Sequence, residues 1–328
     1  MQREPAPTYS GHQPMADEWV RTVRESFALA LHVEIWDLLH DMKRLMFRAL
    51  AVVLFTGILP HAPAATPVVA QVHVISIHVQ DHAAFDRVFL FLRDTLQLPS
   101  VYGELSKPGD KGQRLYSGFS VGNAYLEPCG PYASDAPFTP DRPGRFHGLT
   151  FSPGKSLAEV AKDLGDKSIP HSGILGSGDT PRFVYLTDPL LTGKFQAVSI
   201  WEIQNKNDRS NLNFLSSSLQ EAKGGVLGVK RVQEVRVGYP DEANLAQWRS
   251  FLSACRHEGD VWFAGDGPAL RLVPAKENQL ESIVLQVSSL EKAKLALAQR
   301  QLVGKLALGS VELDTTKTLG LRIILKEN

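Results

Sequence analysis

Val72-His73-Val74-Ile75-Ser76-Ile77-His78-Val79 alternates as a strand does, and Asp81 then stands where a helix cap belongs. From His82 to Leu96 the apolar residues Phe85, Val88, Phe89, Leu92 and Leu96 fall at helical spacing, and Leu98-Pro99 ends the run. Ser100–Leu105, Gln113–Val121 and Asn123–Pro128 follow as three strand candidates. This order of strand, helix and three strands decides the fold, because it recurs along the chain.

A second unit opens at Arg145 with a strand through Phe151, a helix over Ser156–Leu164, and strands at Phe183–Thr187 and Gln196–Gln204. A third starts near Val229: strand Val232–Val237, helix Asp241 to Ala254, strands Asp260–Ala264 and Ala269–Val273. A fourth starts at Leu280: strand Ser282–Val287, helix Leu290–Gln301, then Ser310–Leu313 and Leu319–Leu325. Asn205–Leu227 is polar and rich in Ser and Gly, and residues 206–227 read as the linker between two pairs of units. One such unit cannot bury its sheet alone. Two side by side close the bare face into a cleft, so the fold class is α+β, four βαβββ modules forming two paired-module domains, residues 71–205 and 228–328.

Each basic residue has an acidic counterpart, 35 of each in 328 residues, and no basic stripe appears, which argues against nucleic acid as a partner. No stretch reaches the roughly 18 apolar residues of a membrane span. With Cys129 and Cys255 as the two cysteines there is no disulfide framework and no CxxC knuckle. They read as separate buried thiols, or as a pair if the protein is exported.

Export has its own signature. Met42-Lys43-Arg44-Leu45-Met46-Phe47-Arg48 is basic, Ala49 to Leu59 is mostly apolar, and Ala62-Pro63-Ala64 offers small residues before a cut at Ala65. That is the layout of a secretory signal peptide over residues 42–64. Translation then starts at Met42 or Met46, residues 1–41 are an over-extended start, and the mature protein is periplasmic or secreted. The alternative is a helical arm over residues 16–59.

Candidate ligands for a metal ion alternate along the first two units: His78, Glu127 in Tyr125-Leu126-Glu127-Pro128, His147 in Phe146-His147-Gly148-Leu149-Thr150-Phe151, and Glu202 in Ser199-Ile200-Trp201-Glu202-Ile203. Imidazole and carboxylate together suit Zn, Ni, Fe or Mn. Alternation sends Glu202 to the face opposite Trp201 and Ile203.

Strand, helix and three strands, paired, with His in a first strand and Glu in a last strand, resembles the vicinal-oxygen-chelate superfamily of glyoxalase-type lyases, extradiol dioxygenases and bleomycin- and fosfomycin-resistance proteins. The resemblance covers about residues 71–328. It implies that His147 occupies a first-strand ligand place and Glu127 and Glu202 last-strand places, and that the face to which Glu202 points is the cleft. In the first unit the ligand place falls on Val74; His78 shares that face about 13 Å further along at ~3.3 Å per residue, with His73 the weaker alternative. Arg236 and Gln286 stand at the first-strand places of the second pair, with Val273 and Ile324 near the last-strand ones, so residues 228–328 read as a structural or substrate-shaping domain without metal ligands.

What the resemblance implies is a divalent-metal enzyme, lyase, isomerase or dioxygenase, acting on a small molecule with adjacent oxygens. Glu127, His147 and Glu202 would hold the metal, His78 would complete the set, and Glu127 or Glu202 would double as base. The runner-up is a metal-free protein that binds a hydrophobic or aromatic ligand against Tyr125, Trp201 and Phe151; a third is a scaffold alone. The expected partner is a small-molecule substrate or ligand, with a homodimer the assembly to be considered.

Overall fold

The computed structural model describes residues 66–327 apart from 108, 110–112, 132–137, 141, 178–181, 194–196 and 203–207. The readings made on residues 1–64, the over-extended start and the signal peptide, lie outside the described residues. Among the described residues no helix is long and apolar enough to cross a membrane.

The first module is β1 (Val69–Val79), α1 (His82–Leu90), β2 (Ser100–Tyr102), β3 (Leu115–Tyr116), β4 (Gly118–Ser120) and β5 (Tyr125–Gly130). Asp81 caps α1, its carboxylate accepting from the Ala84 N–H at 2.7 Å. The helical run expected through Leu96 is there, but Phe91–Thr95 widens into a π-type turn. The second module is β6 (Gly144–Pro153), α2 (Leu157–Asp166), β7 (Arg182–Tyr185), the short α3 (Pro189–Thr192) and β8 (Ala197–Glu202). A capping box between Ser156 and Glu159 starts α2.

The polar stretch read as a linker holds α4 (Asp208–Glu221), which buries Leu215 and Leu219. The remaining modules are β9 (Val229–Tyr239), α5 (Glu242–Phe251), β10 (Arg256–Glu258), β11 (Val261–Phe263), β12 (Ala269–Pro274), then β13 (Gln279–Val287), α6 (Leu290–Gln299), β14 (Val303–Ala307), β15 (Ser310–Leu313) and β16 (Ile323–Lys326).

Pairing follows one rule twice. The first sheet runs β2-β4-β5-β1-β6-β8-β7 with β3 on β5; the second runs β10-β11-β12-β9-β13-β16-β15-β14. In each module the first strand lies parallel to the last, and the two first strands, β1 with β6 and β9 with β13, pair antiparallel at the middle. The fold is therefore α+β, four modules that each open on a strand and a helix, joined two by two into 8-stranded sheets; among the described residues the third and fourth are βαβββ, while the first adds four strands after its helix and the second two.

Alternation sorts the side chains. Ile75, Ile77 and Val79 of β1 go into the core under Phe85 and Phe89, while Ser76 and His78 take the open face. In the second sheet Val235, Val237, Leu270, Leu272 and Ile283 go inward, and Glu234, Arg236, Arg271 and Ser282 alternate with them. The two pairs do not keep separate cores: one apolar cluster runs through both, with Phe151 edge-on to Phe251 at 5.6 Å. Asn123 acts as a strand segment between the sheets, donating to Val232 O at 3.0 Å and accepting from Val232 N at 3.0 Å. Beside it Gly122 has φ +92°, and a Cβ there would lie 2.5 Å from Lys230 O, so glycine is what allows the approach.

Candidate functional site

The first sheet's open face carries a cleft of about 370 Å³, within the range of small-molecule sites. Its floor is Ser76 and His78 of β1, Glu127 and Cys129 of β5, Thr150 of β6 and Ser199 of β8; Tyr116, Tyr185 and Trp201 supply aromatic walls and Arg114 a cation. Register explains the grouping. Ser76 pairs with Glu127 and His78 with Cys129 in the β1–β5 ladder, while Thr150 pairs with Ser199 and Trp201 with Phe183 further across.

Glu127 is the floor's carboxylate, and both its oxygens are engaged. Tyr102 Oη donates to Oε1 at 2.5 Å, and Ser76 Oγ donates to Oε2 at 3.4 Å. Behind it Tyr125 lies edge-on to Tyr102 at 5.8 Å and to His73 at 5.1 Å. Burial raises the Glu127 pKa, and the donated hydrogen bonds oppose that rise without cancelling it. Burial likewise pushes the Tyr102 and Tyr125 phenols up, with the Glu127 carboxylate adding to it, so both stay protonated donors.

His78 and His147 meet as a stack, with ring centroids 3.5 Å apart and planes 20° apart. A β-bulge brings this about: Ser76 pairs with Gly148 and Ile77 with Phe146, so His147 is the extra residue and turns toward His78. Burial, then the neighbouring His147, Arg145 and Arg114, draw the His78 pKa down to about 2, so its ring is neutral. His73, the alternative ligand, sits at a second bulge, between Val72 and Val74, and burial lowers its pKa to about 4.

Glu202 is placed elsewhere. It shares parity with Val198 and Ile200, which are in the core, while Ser199 and Trp201 face the cleft. Its carboxylate pairs with Arg182 at 3.0 Å at the half-exposed end of β8. Phe151 also points to the core, at 0% exposure, so the aromatic wall consists of Trp201, stacked on Phe183 at 5.0 Å, with Tyr185 and Tyr116. Tyr185, Tyr116 and Arg114 were missed because they lie on short strands or loops without a strong period. Cys129 and Cys255 are separate buried thiols: Cys129 Sγ lies 3.6 Å from Ile77 O and Cys255 Sγ 3.9 Å from Val69 O.

Whether these residues suit a divalent ion is a question of convergence. Such an ion wants three or more donors at ~2.0–2.3 Å. Ring-nitrogen lone pairs lie in the ring plane, so two near-parallel rings direct theirs side by side and not at a shared point. Glu202 lies on the other face from Glu127, His78 and His147. Among the described residues no group of three or more His, Cys, Asp and Glu side chains is arranged to hold a metal ion. As these described side chains stand, they do not converge on one ion's position.

No family model matches this chain, and no curated protein matches it. Solved structures similar to it include the 2,3-dioxygenase LapB from Pseudomonas sp. KL28, at 11% identity over 80% of this chain and 94% of that one, TM-score 0.47. Homoprotocatechuate 2,3-dioxygenase from Brevibacterium fuscum, in complex with 3,4-dihydroxyphenylacetate, matches at 13% identity over 82% and 83%, TM-score 0.47. The enzyme from Arthrobacter globiformis matches at 14% over 83% and 84%, TM-score 0.48. Both kinds of enzyme belong to the vicinal-oxygen-chelate superfamily. Each of these likenesses is one of fold.

Proposed function

We propose that the chain is a metal-independent binding protein for a small aromatic molecule, held in the first sheet's cleft. The observation that carries this reading is that the cleft's own donors bind one another while its walls stay aromatic: Glu127 takes Tyr102 and Ser76, and His78 stacks on His147. An aromatic ligand would lie against Trp201 and Tyr185, gaining apolar burial and ring contact. The Thr150–Ser199 hydroxyl pair, 3.0 Å apart, keeps hydrogen-bonding capacity for a ligand hydroxyl.

Calorimetry with phenol and catechol, before and after chelator treatment, tests it. Binding that survives chelation, with no stoichiometric Zn, Ni, Fe or Mn in the purified protein, is the expected result. Stoichiometric metal together with oxygen uptake on catechol would overturn it in favour of the dioxygenase reading. We also propose export through residues 42–64, supported by the basic, apolar and small-residue layout of that stretch. A mature chain starting at Ala65 is expected on N-terminal sequencing, and an intact residue 1 would refute it.

A further inference from the structure

Away from the aromatic cleft, a second and more polar cleft of about 420 Å³ opens along the seam between the two sheets. Arg142, Arg145 and Phe146 line it from the start of β6, Gln279 and Glu281 from β13, and Glu312, Thr315 and Arg322 from β15 and the loop before β16. The geometry points to this seam as a second binding site, for a small hydroxylated organic monocarboxylate.

Three arginines from the two sheets line it, and the planar guanidinium fork of the exposed Arg142 matches a carboxylate's two oxygens. The wall's own carboxylates are held in place. Arg322 donates to Glu312 through Nε at 2.7 Å and Nη2 at 3.1 Å, and Gln279 Nε2 donates to Glu281 Oε1 at 2.7 Å. Arg145 is half-buried, and loss of water draws its pKa down to about 10 against the opposing pull of Glu277. Three arginines against Glu281 and Glu312 leave the lining one positive charge, part of which Glu277 offsets from outside it, so one negative charge is favoured over a polyanion. Hydroxyl groups on the ligand answer the neutral polar lining, Gln279 and Thr315.

The seam is built to be narrow at its base. Gly144 N donates to Leu319 O at 3.1 Å across the sheets. Gly320 has φ +93°, and a Cβ on it would lie 2.7 Å from Gly144 O and 2.9 Å from the Arg142 Cβ. Glycine at 320 therefore lets the Arg142 backbone close on the second sheet. Arg145 pairs with His78 across the β1–β6 ladder, so the seam begins one strand position from the aromatic cleft.

A ligand held by both sheets stabilises the folded chain by mass action. Thermal unfolding is followed against sodium lactate, with sodium chloride at equal ionic strength as control. A saturable rise in Tm of about 3 °C or more over the chloride control is expected. Arg142 is exposed, so Arg142→Ala should fold normally and need about tenfold more lactate for half-saturation, and Arg142→Glu should abolish the rise. A lactate curve that coincides with chloride up to about 100 mM, more than tenfold above the weakest half-saturation of interest, would overturn the proposal, as would an unchanged rise in both variants. The rise should persist in Trp201→Ala, so this site stands or falls apart from the aromatic cleft.

Discussion

The two sheets repeat one topology and use their open faces in opposite ways. On the first, the buried carboxylate Glu127 is held by hydroxyl groups, and its pKa is raised because burial wins. On the second, Glu234 lies between Arg236 at 2.8 Å and Arg271 at 2.6 Å. Burial penalises that charge too, but the two guanidinium groups outweigh it and the pKa is lowered. Gln286, at the place where a ligand was sought, accepts from Arg231 Nε at 2.9 Å. A face that satisfies its charges internally is a wall. A face that leaves aromatic rings and hydroxyl groups around a cavity is a receptacle.

The largest test of that contrast is to strip Glu234 of its partners. Arg236→Ala with Arg271→Ala leaves a carboxylate with 9% side-chain exposure unpaired, which costs about 3 kcal/mol, the low end for a broken buried pair because Arg271 itself is 40% exposed. Denaturant unfolding measures it. The depressed Glu234 pKa gives a contribution present above the unfolded carboxylate range and lost as pH falls through the folded value. The double variant should therefore lose part of the wild type's acid sensitivity near pH 4. A loss below about 1 kcal/mol, in the range of a surface ion pair, would mean the second face is not held by its charges.

Comparable in size is the acid response of the first sheet. His73 and His78 are buried and neutral, with pKa values drawn from 6.5 to about 4 and about 2. The unfolded chain binds their protons first, so stability falls as pH drops below 6.5, by about 3 kcal/mol for His73 by pH 4. His73→Phe should flatten that slope between pH 6.5 and 4 in a urea-midpoint series. An unchanged slope would place His73 in water.

Much of this architecture was legible. The first strand and the helix of each module, and Ser310–Leu313, came out near their true bounds because apolar period and caps agree there, whereas α3 and α4 did not: α3 is one turn long and α4 lies in a polar stretch. β10 and β14 were not legible: Arg256-His257-Glu258 has no apolar alternation, and Val303-Gly304-Lys305-Leu306-Ala307 is an edge strand whose side chains lie mostly in solvent. The site was half legible for a sharper reason. Parity separates Trp201 from Glu202, but parity alone does not say which of the two faces the cleft: the metal reading needs Glu202 there and the aromatic-ligand reading Trp201, and Trp201 is the one that lines it. The bulge that turns His147 onto His78 inserts a residue that no alternation rule announces.

A smaller effect belongs to the aromatic wall. Trp201→Ala removes the ring that stacks on Phe183 and should weaken phenol or catechol binding roughly tenfold, about 1.5 kcal/mol of lost apolar contact. Arg236→Ala, on the opposite sheet, should leave that affinity unchanged. Equal losses in the two variants would mean the ligand does not choose between the faces.

The finest distinction is carried by Glu127→Gln. The amide keeps an oxygen for the Tyr102 hydroxyl and removes a charge that burial disfavours, so the change in stability at neutral pH should stay under about 1 kcal/mol. Its sign with pH is the informative part. A raised carboxylate pKa means the wild type loses stability as pH climbs from the unfolded carboxylate range through the folded value. The Gln variant should therefore gain on the wild type across that window and hold the gain above it. Glu234→Gln should do the reverse, losing ground as pH rises from the folded value to the unfolded carboxylate range and staying behind above it, because two guanidinium groups are left facing an amide. If both substitutions moved stability in the same direction with pH, the two carboxylates would share one electrostatic setting, and the division between receptacle and wall would have to be drawn on other residues.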